Sequence, residues 1–358
     1  MIGPVTGLAF LLSISSPTRE PPKSSITLEK YETLLTWFNS TFPTSYISPS
    51  MCIAESSQGG YGAFASSEIE KDALLLSIPR TACVTTSVAL DDKDCGEAFQ
   101  ALIKKAGPGS ETVAMAGYLA KEYLIYLEGG ETVFGPYFAT LPWDRGMNGQ
   151  EHILFWSQED VDTYLKDTFC WTDSADLRGE VKIATDLLNQ IVGPAILSAR
   201  DEEEEEEPPI LPFLNWVKPK AKPLTEPVAG LKEAVTGAFV ILLTRAFDDD
   251  YKGQGDDSDV ISEDAAPERL IPLLDMFNHN KIPSIRYKTN EKGTVEVRAR
   301  RDLKNGEEIF NQYREEEELT MPKHRFFTRF GFIPGNSDNI YDLLADKEGM
   351  FYAKRQEV

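Results

Sequence analysis

The spacing of hydrophobic residues changes along this chain, and each change predicts a different kind of element. Near the N-terminus apolar residues recur every three or four positions, which predicts an amphipathic helix with Thr27 as its cap. The apolar face of that helix comprises Leu28, Tyr31, Leu34, Leu35 and Phe38. From Cys52 to Val84 the apolar runs are short and broken at Gly59-Gly60 and at Pro79, a pattern typical of small β-hairpins.

Helical spacing dominates between residues 96 and 265. Ser157, followed three positions later by Asp160, predicts a capped helix start. A later, strongly periodic apolar stretch predicts a helix that runs up to Arg245. The acidic run within residues 200–209 repels itself and favours solvent, so it is predicted to be a disordered loop.

Strand patterns return after Arg269. Apolar residues alternate with polar ones from Val295 to Ala299, and Asn305-Gly306 predicts a hairpin turn before the next strand. Residues 65–72 also parallel residues 299–306. Either an internal repeat or a coincidence of two similar hairpins explains this similarity.

Composition narrows the classes of function. The 358 residues are 41% hydrophobic, enough to fill the cores of two or three compact units. With 36 basic against 58 acidic residues the net charge is −22, which argues against a nucleic-acid surface and favours a basic protein partner. The four cysteines have no Cys-x-x-Cys spacing, so neither a metal site nor a disulfide framework is predicted.

The first residues contain a short apolar patch from Val5 to Ile14. No Lys or Arg precedes it, and ten residues cannot span a bilayer, so no membrane association is predicted. We expect a monomer in the cytoplasm or nucleus, and a plastid location stays open.

Three segments near the C-terminus carry the candidate chemistry. The apolar run from Leu270 leads into Asn278-His279, a second run from Glu307 ends on Tyr313, and Phe330-Gly331-Phe332 closes the next helical stretch. In this order they resemble the C-terminal half of a SET-domain methyltransferase, in the branch of the Rubisco large-subunit lysine methyltransferase and the actin histidine methyltransferase. The motifs that extend the resemblance upstream are Gly60–Ala65 with Leu75–Pro79, Gly135–Pro142, Phe155–Glu159 and Thr244–Phe247.

The resemblance implies an α+β fold, in which a β-rich SET domain of small sheets is split by a helical insertion. The implied boundaries are a disordered segment over 1–25, an N-terminal helix with the first SET half over 26–95, the insertion over 96–265, the second SET half over 266–335 and a short tail over 336–358. Relatives in this branch continue into a helical domain that grips the substrate protein, and this chain is expected to lack most of it.

The resemblance also implies methyl transfer from S-adenosylmethionine to a protein side chain, without a metal. Tyr313 corresponds to the catalytic tyrosine and, with Phe247 and Phe277, to the substrate channel. The residues that correspond to the cofactor site are Gly60, Tyr61, Gly62, Arg245, Asp275, Asn278, His279 and Phe332. The competing dinucleotide fingerprint Gly60-x-Gly62-x-x-Ala65 requires a helix at its second glycine, whereas the short apolar run that follows predicts a strand.

Such a site has to present a neutral amine to a positively charged donor. A free lysine is only about one part in a thousand uncharged near neutral pH, which corresponds to roughly 4 kcal/mol. Burial and a nearby positive sulfonium both lower the amine pKa, so a dedicated general base is not required. The Tyr313 phenol is the candidate group for orienting the amine or the methyl.

Two positions leave alternatives open. Phe247 resembles the aromatic residue of the lysine-methylating members, where the histidine-methylating member has a polar residue, so lysine is the favoured acceptor and histidine the alternative. The family usually has glycine directly after its catalytic tyrosine, whereas this chain has Arg314 followed by Glu315–Glu318. That departure motivates a second hypothesis, a catalytically silent SET scaffold that binds a protein partner.

Overall fold

A computed structural model describes residues 24–204, 227–248, 268–313 and 323–333. Its helices are α1 (Ser24–Thr41), α2 (Thr86–Leu90), α3 (Gly96–Ala106), α4 (Ser110–Leu127), α5 (Gly135–Phe138), α6 (Gln158–Tyr164), α7 (Phe169–Ile191), α8 (Gly193–Glu204), α9 (Leu231–Arg245) and α10 (Lys323–Phe330). Its strands are β1 (Tyr46–Ile47), β2 (Met51–Glu55), β3 (Tyr61–Ala65), β4 (Leu74–Ile78), β5 (Val84–Thr85), β6 (Phe247–Asp248), β7 (Glu268–Leu270), β8 (Ile285–Thr289), β9 (Val295–Ala299) and β10 (Glu308–Ile309).

Three small antiparallel sheets join the two ends of the described chain. Their strand orders are β1-β4-β9-β8, β10-β3-β2 and β5-β7-β6. In each sheet a strand from before the helices pairs with one from after them: β4 with β9, β3 with β10 and β5 with β7. The predicted α+β fold of small sheets split by helices is therefore confirmed.

The two similar segments, residues 65–72 and 299–306, pair with each other by reciprocal backbone hydrogen bonds. At the centre of this pairing Ile69 donates its backbone N–H to the Leu303 carbonyl at 3.0 Å, and Leu303 donates back to Ile69 at 2.8 Å. The next pair of bonds runs from the Gly306 N–H to the Ala65 carbonyl at 2.7 Å and from the Asp72 N–H to the Ala299 carbonyl at 2.9 Å. In the outer pair the Ala65 N–H donates to the Glu307 carbonyl at 2.9 Å, and the Ala299 N–H donates to the Ala73 carbonyl at 3.0 Å. Because hydrogen bonds and turns recur in the same order, the structure favours an internal repeat.

The hairpin predicted at Asn305-Gly306 is wrong. A turn forms there, and Gly306 adopts a φ of 81°. Strand β10 beyond it pairs with β3 rather than with β9, because both edges of β9 are already occupied by β4 and β8. The turn therefore carries the chain from one sheet to another.

Helix α9 forms the centre of the helical part and leads to the site. Buried residues occur on nearly all of its sides, as expected for a helix surrounded by protein. It packs so closely on Trp143 that a Cβ at Gly237 would lie 2.7 Å from the Trp143 carbonyl oxygen. The helix ends at Arg245, as its periodicity predicted, and β6 begins at Phe247.

Local signals near helix ends gave mixed results. The Ser157 cap is confirmed, since its hydroxyl accepts the Asp160 backbone N–H at 3.0 Å. The Thr27 cap is wrong, because α1 already begins at Ser24. Residues 200–204 of the predicted disordered loop continue helix α8, which is consistent with the high helix propensity of glutamate.

Several predictions lie wholly or partly outside the described residues. These are the N-terminal segment up to residue 23, residues 205–209 of the acidic loop, Arg314 with the glutamates after it, and the tail from residue 336. Within the described part of the chain, no helix combines the length and the apolar character needed to cross a bilayer.

Candidate active site

Backbone pairing brings Asn278-His279 beside Tyr313. Asn311 donates its N–H to the Asn278 carbonyl at 2.9 Å, and Asn280 donates to the Asn311 carbonyl at 2.8 Å. The Tyr313 backbone N–H then donates to Nδ1 of His279 at 3.2 Å. Two segments that the sequence places more than thirty residues apart therefore run side by side.

A cleft of about 520 Å³ opens next to Tyr313. Its lining includes four of the predicted site residues, namely Arg245, Phe247, Asp275 and Tyr313. Tyr287, which also lines it, meets the Phe247 ring edge to face at 5.6 Å between centroids. The volume is in the range of small-molecule sites, and one wall is aromatic.

At this cleft the buried Asp275 pairs with Arg245, whose side chain is partly exposed. Nη1 of Arg245 donates to the Asp275 carbonyl oxygen at 2.9 Å and lies 3.4 Å from its Oδ2, which also accepts the Tyr137 hydroxyl at 2.8 Å. Burial by itself lowers the pKa of Arg245, but the Asp275 carboxylate raises it above its ordinary value. Burial raises the pKa of Asp275, and Arg245 opposes that change.

Two polar atoms of this pair have no hydrogen-bond partner among the described residues. They are Nε of Arg245, a donor, and Oδ1 of Asp275, an acceptor. Leaving such atoms buried without partners costs free energy, so native structures rarely do it. A polar ligand in the adjoining cleft would satisfy them.

The Tyr313 hydroxyl stays protonated at neutral pH. Burial raises the pKa of Tyr313 to about 12, although the nearby positive Arg245 lowers it. A neutral phenol both donates and accepts hydrogen bonds, so this side chain can orient a ligand without adding charge to the cleft.

Gly62 lets Asn278 approach strand β3. Nδ2 of Asn278 donates to the Tyr61 carbonyl oxygen at 3.3 Å and to Oε1 of Glu308 at 2.8 Å. A Cβ on Gly62 would lie 2.7 Å from that amide nitrogen. A larger residue at position 62 would therefore displace the ends of the Asn278 and Glu308 side chains.

Gly60 sits at a second close approach, with a φ of 68° and no room for a Cβ against the Asn148 carbonyl. The neighbouring Tyr61 ring stacks at a tilt on Tyr31 of helix α1, with centroids 4.6 Å apart. Helix α1 thus packs beside the glycine-rich strand.

His279 and Phe332 belong to an aromatic cluster in contact with Tyr313. The His279 ring centroid lies 5.2 Å from that of Tyr313 and 5.9 Å from that of Phe332. Helix α10 adds Phe326 and Phe330, whose rings are 4.6 Å apart. Phe332 is half-buried here, which leaves part of its ring available for contact with a ligand.

Phe277 does not join the other channel candidates. It is 0% exposed and packs in the main hydrophobic core. The short 3₁₀ turn over Leu274–Met276 precedes Phe277, and Asp275 is the residue of that turn that lines the cleft. Phe277 therefore supports the site from behind rather than bordering the cleft.

Three residues at the site were missed by the sequence reasoning. Tyr137 bonds Asp275, Glu308 bonds Asn278, and Tyr31 stacks on Tyr61. Tyr137 lies inside a motif that carried the resemblance, so its position was available as a signal. Nothing in the local pattern marked Glu308 or Tyr31.

The family comparison shows the class of protein to which this chain belongs. The SET-domain family model matches residues 60–314, which is more than half of the chain, so the chain belongs to the SET-domain family. No curated protein sequence matches it.

Among solved structures, the chain is similar to Rubisco LSMT bound to sinefungin and monomethyllysine and to Rubisco LSMT bound to AdoMet. Each has a TM-score of 0.58, 16% identity and coverage of 86% of this chain and 57% of that chain. The SET domain of LSMT bound to lysine and AdoHcy gives the same TM-score and identity, with coverage of 87% and 58%. At this identity the likeness shows the fold, and the chain spans less than two thirds of the length of these structures.

Proposed function

We propose that this chain is an S-adenosylmethionine-dependent protein-lysine N-methyltransferase. The observation that carries the proposal is the cleft at which Tyr313, the Arg245–Asp275 pair and Phe247 meet. Asn311 also lines this cleft, and its backbone N–H donates to the Asn278 carbonyl. A SET-type core surrounds this cleft, and the solved structures with the same fold hold AdoMet, AdoHcy, lysine or methylated lysine.

The residues present fit the amino-acid end of that cofactor. Nε of Arg245 is a donor without a partner in the described chain, and a guanidinium suits a carboxylate. Among the described residues no donor reaches Oδ1 of Asn278, which leaves an acceptor for an amino group. When bound, the cofactor supplies an electrophilic methyl group on a positively charged sulfur.

The chain's own contribution is positioning and exclusion of water. A displacement at a methyl carbon needs its partners in line, so holding them in position in the cleft accounts for most of the acceleration. Burial in that cleft lowers the pKa of an incoming lysine, because it disfavours the ammonium form. The neutral Tyr313 phenol orients the amine by a hydrogen bond and takes no proton from it.

The aromatic wall of the cleft supports lysine as the acceptor. Phe247 and Tyr287 both line the cleft, and their rings meet edge to face. The aliphatic stem of a lysine buries well against such rings, while its amine reaches the polar end of the cleft. Protein-histidine methylation remains the alternative outcome of a substrate assay.

The proposal extends to the partner and the location. The net charge of −22 supports a basic protein substrate, because complementary charge speeds the encounter of two proteins. A monomeric enzyme of the cytoplasm or nucleus is part of the same proposal.

Two measurements on the full chain test the proposal. Isothermal titration with S-adenosylhomocysteine should give saturable binding, and its absence at high micromolar ligand would refute both the cofactor and the enzyme. Incubation with labelled S-adenosylmethionine and a cell lysate should then label protein, with mass spectrometry placing the methyl on lysine. Binding without any transfer to protein would favour the silent scaffold, and label on histidine would favour the alternative acceptor.

A further inference from the structure

Glu308 is a buried carboxylate that the proposed reaction does not yet use. It lies on strand β10, opposite Phe64 of β3, and is 9% exposed. Glutamate is almost never buried without partners, because removing a carboxylate from water costs several kcal/mol unless hydrogen bonds replace the water. Its partners therefore indicate what it does.

Both oxygens of Glu308 accept hydrogen bonds from polar side chains. Oε1 accepts Nδ2 of Asn278 at 2.8 Å, and Oε2 accepts the Ser56 hydroxyl at 3.0 Å. Gly62 leaves the space for this contact, since a Cβ there would lie 2.5 Å from Oε1.

These contacts fix which way the Asn278 amide faces. Nδ2 carries two hydrogens, and its two partners, the Tyr61 carbonyl and the Glu308 carboxylate, can only accept. A flipped amide would place its oxygen against both acceptors and lose both bonds. The carboxamide oxygen is thereby held on the side away from β3 and β10, and no donor of the described residues reaches it.

We propose that Glu308 is a positioning residue for the cofactor, which locks Asn278 with its carboxamide oxygen presented to the amino group of the cofactor's methionine part. This rests on the proposed function. Glu308 itself touches no reacting atom, and it acts through Asn278. The amino-acid end of the cofactor, rather than its nucleoside, depends on this lock.

Two ligands distinguish a loss of the Asn278 orientation from a general loss of stability. S-adenosylhomocysteine carries the amino group, and methylthioadenosine keeps the nucleoside and sulfur but lacks the amino-acid end. In isothermal titration, Glu308→Ala should weaken S-adenosylhomocysteine binding by about tenfold or more. It should leave methylthioadenosine binding within about threefold, because that ligand has no group for Asn278 to hold.

Two further variants give the matched controls. Glu308→Gln keeps an acceptor for Asn278 and can donate to Ser56, so it should bind S-adenosylhomocysteine within about threefold of the unmodified chain. Ser56→Ala removes the second bond of Glu308 but leaves the Asn278 contact, so it should also stay close to the unmodified chain. In turnover, Glu308→Ala should raise KM for S-adenosylmethionine while kcat at saturation changes little.

Equal weakening of both ligands by Glu308→Ala would show a merely structural role and overturn the proposal. So would unchanged S-adenosylhomocysteine binding in Glu308→Ala, or a loss in Glu308→Gln as large as that in Glu308→Ala. Failure of the proposed cofactor site gives a different result, since the unmodified chain itself would then not bind S-adenosylhomocysteine, and failure of methyl transfer alone would show as binding without labelled protein.

Discussion

Replacing Gly62 with alanine should break the junction between strand β3 and Asn278. The new Cβ would lie 2.5 Å from Oε1 of Glu308 and 2.7 Å from Nδ2 of Asn278, which are bonded to each other at 2.8 Å. Strand β3 cannot easily retreat, because Gly62 pairs with Ala54 of β2 in the same sheet. The ends of the two side chains therefore have to shift, and we expect this to break the hydrogen bond between them.

The cost can be worked from those contacts. Forcing one extra methyl into a packed site costs about 1–3 kcal/mol. Losing a hydrogen bond to a charged group costs about 1.5–3 kcal/mol. Because the side chains can relax in part, we expect the free energy of unfolding to fall by about 3 kcal/mol, in the lower half of the combined range. That is a large share of the 5–15 kcal/mol by which folded proteins are typically stable.

Urea unfolding followed by circular dichroism measures this change, and Gly179→Ala is the matched control. Gly179 lies within helix α7 and has no atom within 4 Å of a built Cβ, so alanine there should stabilise the chain by up to about 1 kcal/mol. Gly62→Ala should unfold at clearly lower urea and lose S-adenosylhomocysteine affinity. An unchanged midpoint together with unchanged affinity would refute the steric argument.

Three other perturbations test separate parts of the structure. Tyr313→Phe should lower kcat by roughly tenfold to a hundredfold with little change in S-adenosylhomocysteine affinity, because only the orienting hydroxyl is lost; a fully active variant contradicts that role. His152 is 0% exposed, and burial lowers its pKa from 6.5 to about 4. Since the unfolded chain binds that proton more readily, stability should fall as pH drops from about 6.5 towards 4, and urea midpoints of His152→Gln should fall less over that window. Ser157→Ala should cost about 1 kcal/mol in urea unfolding, because it removes the cap on Asp160 at 3.0 Å, and no change would dismiss the cap.

Some features that depend on neighbouring residues were predictable from the sequence, although Thr27 is not the cap of α1. The Ser157 cap and the end of α9 at Arg245 follow from spacing within one or two turns of helix. The meeting of Asn278-His279 with Tyr313 came from the resemblance, since no local rule places one strand beside another.

Features that depend on distant residues were not predictable. The partner of β10 was misassigned because the local turn signal at Asn305-Gly306 says nothing about which strand edges are still open. The roles of Glu308 and Tyr137 depend on side chains far away in sequence, at Asn278 and Asp275. Phe277 looked like a channel residue by position alone, and packing places it in the core.

The reciprocal bonds between residues 65–73 and 299–307 bear on how the chain is made. Every one of them closes a loop of more than two hundred residues, so the ribosome releases the first partner long before the second exists. Such high contact order slows folding and leaves strand edges open to association during synthesis. Once the two segments have paired, a protease cut within the helices between them would leave two fragments that these backbone hydrogen bonds still hold together.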